Sequence, residues 1–234
     1  MSLISVDSLA QLEESLITST GLQHSDAVAL LIEDNGLMAL AQGTQAALAL
    51  EVLQDDMSIN MPLALKQSAN KHDAVTLCLQ ESLENIDEFL RRKEPKGEGV
   101  QLAVLQPSYG YFSAFVSADC CAAVLHADKL DILCDEAGNQ PIAGRNSDFA
   151  AHIQQQEYRN NDLLMLARQS TFATLEADFI RVTLARFKDN LHMALRQLNT
   201  RAMRNGLTKK PVMMLCRLQG VEKSTTSGWF KRKR

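Results

Sequence analysis

Between residues 100 and 134 the chain carries four short apolar runs, Val100 to Leu105, Tyr111 to Ser117, Ala122 to His126 and Lys129 to Cys134, with gaps too short to hold a helix. Parallel strands need a crossover of a dozen or more residues, so these runs must pair antiparallel, and their spacing predicts a meander. Two earlier runs, Ala27 to Glu33 and Gly36 to Ala41, flank Asp34-Asn35-Gly36. Asn-Gly is a hairpin signal because both residues tolerate positive φ.

Elsewhere the apolar period changes to that of a helix. Ala46, Leu50, Leu53 and Met57 form one buried stripe after Gly43. A second, longer helix is predicted from about Pro62, which a first turn accepts, to about Arg92, through Leu65, Ala69, His72, Thr76, Leu79, Leu83, Ile86 and Leu90. The segment from Lys93 to Gly99 is a loop, and residues 135 to 161 are polar and weakly periodic. Leu163 to Ala167 reads as a buried strand. Two amphipathic helices follow, one through Phe172, Leu175, Phe179 and Val182, the other through Leu191, Leu195, Leu198 and Ala202, and Val212 to Leu218 supplies a last strand.

With 234 residues, 46% of them hydrophobic, the chain can bury one sizeable core. No linker divides it, so we expect one domain over residues 1–220 and a basic, disordered tail over 221–234. There is no apolar run of membrane-spanning length, and the first residues lack a basic segment followed by an apolar one. Both features predict a cytoplasmic protein. Residues 221–234 hold four more basic than acidic residues, so the net charge of −4 leaves −8 on the rest. Such an acidic body argues against nucleic-acid binding. Trp229, Phe230, Lys231, Arg232, Lys233 and Arg234 suit a weak contact with the inner membrane face, or form a plain solubilising terminus.

Five segments carry the chemistry: Gly21-Leu22-Gln23-His24-Ser25-Asp26, Leu40-Ala41-Gln42-Gly43, Ser117-Ala118-Asp119-Cys120-Cys121, Leu166-Ala167-Arg168-Gln169-Ser170, and Asn205-Gly206-Leu207-Thr208-Lys209-Lys210. In order and spacing they resemble the signature of the PPM family, the metal-dependent Ser/Thr phosphatases of type two-C, in a degenerate, bacterial-like form. The resemblance implies an α+β fold, a four-layer α-β-β-α sandwich of two antiparallel sheets flanked by helix pairs. It also implies that residues 135 to 161 form the family's variable flap.

Carried over residue by residue, the resemblance places the family's phosphate-binding Arg on Gly21 and its Glu on Ser25. Three metal-binding carboxylates fall on Gln42, Gln169 and Lys209, while Asp26 and Asp119 keep their acids. Mg or Mn ions require anionic oxygen ligands, and hydrolysis by a bridging water requires both ions. Two amides and an ammonium do not supply that field; a cation at 4 Å repels a unit charge by about 4 kcal/mol at intermediate dielectric. Lys209 either replaces the metal charge by pairing with Asp26 or Asp119 or is an ordinary solvated loop lysine. Arg168, Lys209 and Lys210 are candidates for an anion site, unless they simply point outward.

The expectation is therefore a pseudophosphatase with no cofactor, a regulatory or protein-binding module whose partner is a Ser/Thr kinase or a phosphoprotein. The alternative is an atypical, low-activity Mn- or Mg-dependent phosphoprotein phosphatase that recruits acids such as Asp148 or Asp162. Cys78, Cys120, Cys121, Cys134 and Cys216 show no zinc spacing and read as buried thiols in a reducing compartment. Cys121, at the family's Arg position, has no adjacent His to activate it. The histidines at 24, 72, 126, 152 and 192 show no spacing that suggests a metal or an acid-base pair.

Overall fold

Residues of alternate parity along the central strands enter different apolar layers, and this alternation stacks the chain into four layers. The computed structural model describes residues 5–7, 27–32, 36–108, 110–134, 141–145, 149–159, 161–207 and 211–219. One antiparallel sheet is ordered β2 (Ala27–Ile32), β3 (Leu37–Gln42), β4 (Gln101–Ser108), β5 (Tyr111–Val116) and β8 (Gln154–Glu157). The other is ordered β1 (Ser5–Asp7), β10 (Met213–Gln219), β9 (Leu163–Arg168), β6 (Cys120–His126) and β7 (Lys129–Cys134). Leu37, Ala39, Leu102 and Val104 pack outward under α1 (Ala46–Gln67) and α2 (Lys71–Lys93). Met38, Leu40, Ala103 and Leu105 face inward and meet Ala122, Val124, Leu164 and Leu166 of the other sheet. Cys121, Ala123, Met165 and Ala167 pack under α4 (Ala177–Arg186) and α5 (Leu191–Arg204). A short α3 (Gln169–Thr174) follows β9 directly. The expected α-β-β-α sandwich is the observed fold.

The predicted meander does not form as one sheet. β4 and β5 pair in one sheet, β6 and β7 in the other, and the chain changes sheet at Ser117-Ala118-Asp119. Backbone pairing ends there because the Ser117 hydroxyl replaces a strand partner: its Oγ accepts from Leu102 N at 2.9 Å, while Ser117 N donates to Leu102 O at 2.8 Å. Ala118 then takes φ 48°, which turns the chain into the second layer.

Three other expectations are corrected. Pro62 lies inside α1 and does not begin the second helix. That helix begins at Lys71, where the Asn70 side chain accepts from Asp73 N, an N-cap that breaks the continuous stripe. The amphipathic stretch after β9 is divided by buried Leu175 into α3 and α4, and Val182 is exposed while Ile180 and Leu184 fill the core.

The third concerns the cysteines. Cys78, Cys120 and Cys216 are buried and free, but Cys121 and Cys134 form a disulfide. The hairpin explains it. His126 and Lys129 flank a two-residue turn, so pairs alternate along β6–β7 and Cys121↔Cys134 is a non-hydrogen-bonded pair. Such pairs bring Cα atoms to about 4.5 Å, and here they are 4.7 Å apart.

Residues 141–145, between β7 and β8, are held by a carboxylate. Asp87 of α2 is 1% exposed, and its Oδ1 accepts from Gly144 N at 2.8 Å while its Oδ2 accepts from Arg91 Nε at 2.7 Å. Gly144 has φ 83°, and a Cβ there would lie 2.7 Å from Leu90 Cβ, so this contact requires glycine. Asp87→Ala would strand a buried N–H and unpair Arg91; we expect a loss of about 3 kcal/mol, read from the urea midpoint at unchanged m.

Candidate functional site

The strand termini at one end of the sandwich collect most of the described motif residues. Gln42 ends β3 opposite Gln101 and Ala27; Asp119 precedes β6, whose Cys120 lies opposite Arg168 at the end of β9; Ala167 pairs with Met213. Parity turns Gln42 with Leu40, Gln101 with Ala103, and Arg168 with Leu166 toward the gap between the sheets. These side chains therefore ring the mouth of the inter-sheet layer. Gln169, one residue on, is exposed at the start of α3, and its N–H donates to Asp119 O at 2.7 Å.

The turn after Gln42 is sterically fixed. Gly43 has φ 132°, and a Cβ there would lie 2.7 Å from Gly99 O. The glycine of this motif is thus required by the fold, whatever residue precedes it.

Charge at the mouth is balanced within it. Arg168 Nη2 and Nε donate to Asp119 Oδ2 at 2.9 and 3.3 Å, with the two side chains 35% and 32% exposed. Asp119 thus has a described cationic partner, and that partner is Arg168. The side-chain oxygens of Gln42 and Gln101 are buried and have no hydrogen-bond donor among the described residues. They make the mouth a pair of neutral acceptors beside an ion pair. Gln101 escaped the sequence reading because it belongs to no motif; the register Gln42↔Gln101 is what brings it into place.

Cys120 sits behind Asp119 and is fully buried. Burial, reinforced by the Asp119 charge and opposed by Arg168, pushes its thiol up to about 12. It is a protonated core residue and no nucleophile.

Asp162 is not part of this arrangement. It precedes β9 at the opposite end, about 20 Å away along six residues of β6, where it pairs with His126. That acid–imidazole contact joins residues 36 apart in sequence, a separation that gives no local signal. Among the described residues no three His, Cys, Asp or Glu side chains gather as a metal-ligand set. Gly21, Ser25, Asp26, Asp148, Lys209, Lys210 and the tail lie outside the described residues.

No family model matches the chain, and no curated relative matches it in sequence. Solved structures do. PppA, a key regulatory component of T6SS in Pseudomonas aeruginosa, superposes with TM-score 0.63 at 13% identity, covering 84% of this chain and 91% of that one. The PPM Ser-Thr phosphatase MsPP from Mycobacterium smegmatis gives 0.60 at 14% over 84% and 92%. The photosystem II phosphatase PBCP gives 0.53 at 10% over 92% and 97%.

Two measurements test this description. A double-mutant cycle of Arg168→Ala and Asp119→Ala should give a coupling of about 0.5–1 kcal/mol that shrinks in 0.5 M salt, as for a partly exposed pair. Iodoacetamide at pH 8 should leave Cys120 unmodified in the folded protein, because deprotonation would begin only several pH units higher; mass mapping of that cysteine checks it.

Proposed function

Starting from the fold of the PPM-type Ser/Thr phosphatases, which this chain has, we propose that it is a pseudophosphatase: a phosphatase-like regulatory or protein-binding module without metal-dependent hydrolysis. The Arg168–Asp119 ion pair carries this reading, since it places a guanidinium on a carboxylate that a divalent ion would need. Gln42 and Gln169 add neutral amides where further acids would be required. This donor set does not fit a pair of Mg or Mn ions.

The proposed partner is a protein, a Ser/Thr kinase or a phosphoprotein. The regulatory description of PppA supports a role of this kind. With Arg168 compensated by Asp119, an anion at the mouth would rest on Lys209 and Lys210. We place the protein in the cytoplasm, with any peripheral membrane contact made by the tail. No helix among the described residues is long and apolar enough to cross a membrane. The Cys121–Cys134 bond weighs against a permanently reducing environment.

The test is calorimetric titration of the chelator-stripped full chain with Mn, beside a phosphoester turnover assay in the same buffer. We expect neither saturable heat nor turnover. Saturable binding with Mn-dependent turnover would overturn the proposal and establish the low-activity enzyme, with Asp119 and Asp26 as its first ligands to mutate.

A further inference from the structure

At the end of the sandwich away from the mouth, a cavity of about 440 Å³ opens beside the β6–β7 turn. We propose that it binds a phosphate monoester of a small organic molecule, with His126 as the hydrogen-bonding centre and Arg159 and Lys188 as the countercharges. This site is separate from the mouth and does not depend on whether the mouth is catalytic.

The centre is built from a buried acid. Asp162, its side chain 4% exposed, accepts from Arg159 N through Oδ2 at 2.7 Å and from His126 Nδ1 through Oδ1 at 2.7 Å. Its backbone closes the turn, with Asp162 N donating to Arg159 O at 3.1 Å, and binds the neighbouring strand through Leu218 N to Asp162 O at 2.9 Å and Asn161 N to Leu218 O at 2.8 Å. The acid is thereby fixed, and it fixes the ring. With Nδ1–H committed to Asp162, the atom that His126 offers the cavity is Nε2.

Nε2 suits a phosphoryl group better than it suits a permanently unprotonated anion. A phosphate monoester has a second pKa near 6, so it can present Nε2 with either an unprotonated oxygen or a P–OH, an acceptor or a donor. Sulfate brings no such proton. Arg159 and Lys188 line the cavity, and of its two acids Asp162 is held by Arg159 N and His126 Nδ1 behind the ring, so the two cations face the single further carboxylate of Asp128. Leu125, Leu163 and Ala185 give the cavity an apolar side for the ester's organic group, and its volume falls in the range of small-ligand sites. A metal at Nε2 lacks the other ligands, since no three donors cluster among the described residues.

The experiment follows the His126 ring Cε1–H resonance of the full chain by NMR, identified by its loss in His126→Gln, during titration with phenyl phosphate, inorganic phosphate and sulfate at neutral pH. We expect a saturable shift with phenyl phosphate, weaker binding of inorganic phosphate and sulfate, and affinity at least about tenfold lower in Lys188→Gln and Arg159→Gln. Both of these side chains belong to exposed residues, so folding should survive the changes. The proposal is overturned by no saturable shift, by affinity unchanged in both variants, or by binding lost in Lys209→Gln and kept in Lys188→Gln. Equal affinity for inorganic phosphate overturns the monoester assignment.

Discussion

The packing of one sheet's inner face on the other decides everything else in this molecule. Met38, Leu40, Ala103 and Leu105 of one sheet and Ala122, Val124, Leu164 and Leu166 of the other are almost wholly removed from water. Burying each of the larger side chains contributes roughly 1.5–3 kcal/mol. A one-residue slip in any of these strands would put that layer into the wrong environment, so register is strongly specified. The same specification aims Gln42, Gln101 and Arg168 into the gap at the strand ends. Their convergence follows from the parity of the apolar residues beside them, without any force of their own.

How much of this could be read from residues alone varies with the physics. The strands were legible because their apolar runs are short and bounded by turn residues. Most of the helical stripes were legible because Leu53, Met57, Leu79, Leu83 and Ile86 are buried at helical spacing. Two kinds of information were not. Sheet membership is a tertiary matter: nothing in Ser117-Ala118-Asp119 announces that β5 and β6 part company there. Local capping also overrode periodicity, since the Asn70 cap ends a stripe that continues smoothly through Ala69 and His72. At the site, the substituted residues Gln42 and Gln169 stand out in sequence, whereas the Arg168–Asp119 contact joins two motifs 49 residues apart and needs the β6–β9 register to be seen.

The mouth and the far cavity differ in how they treat charge. At the mouth an acid and a guanidinium satisfy each other in half-exposed positions, beside amide oxygens that lack donors among the described residues. That arrangement favours recognition by hydrogen-bond donors over recognition of a strong charge. At the far end the acid is buried and its role is to orient an imidazole. The same residue type thus serves as a surface counterion in Asp119 and as an internal fixture in Asp162, and burial separates the two roles.

The two-residue turn at Ala127-Asp128 has a consequence for how this sequence can change over time. It sets the phase of the β6–β7 ladder, and that phase makes Cys121 and Cys134 face each other at the opposite end of the hairpin. A single inserted or deleted residue at the turn would put the ladder out of phase, leaving two unpaired thiols close to Asp119. Length variation at one end of the protein is therefore constrained by chemistry at the other, and the hairpin tolerates substitution far better than it tolerates a change in length.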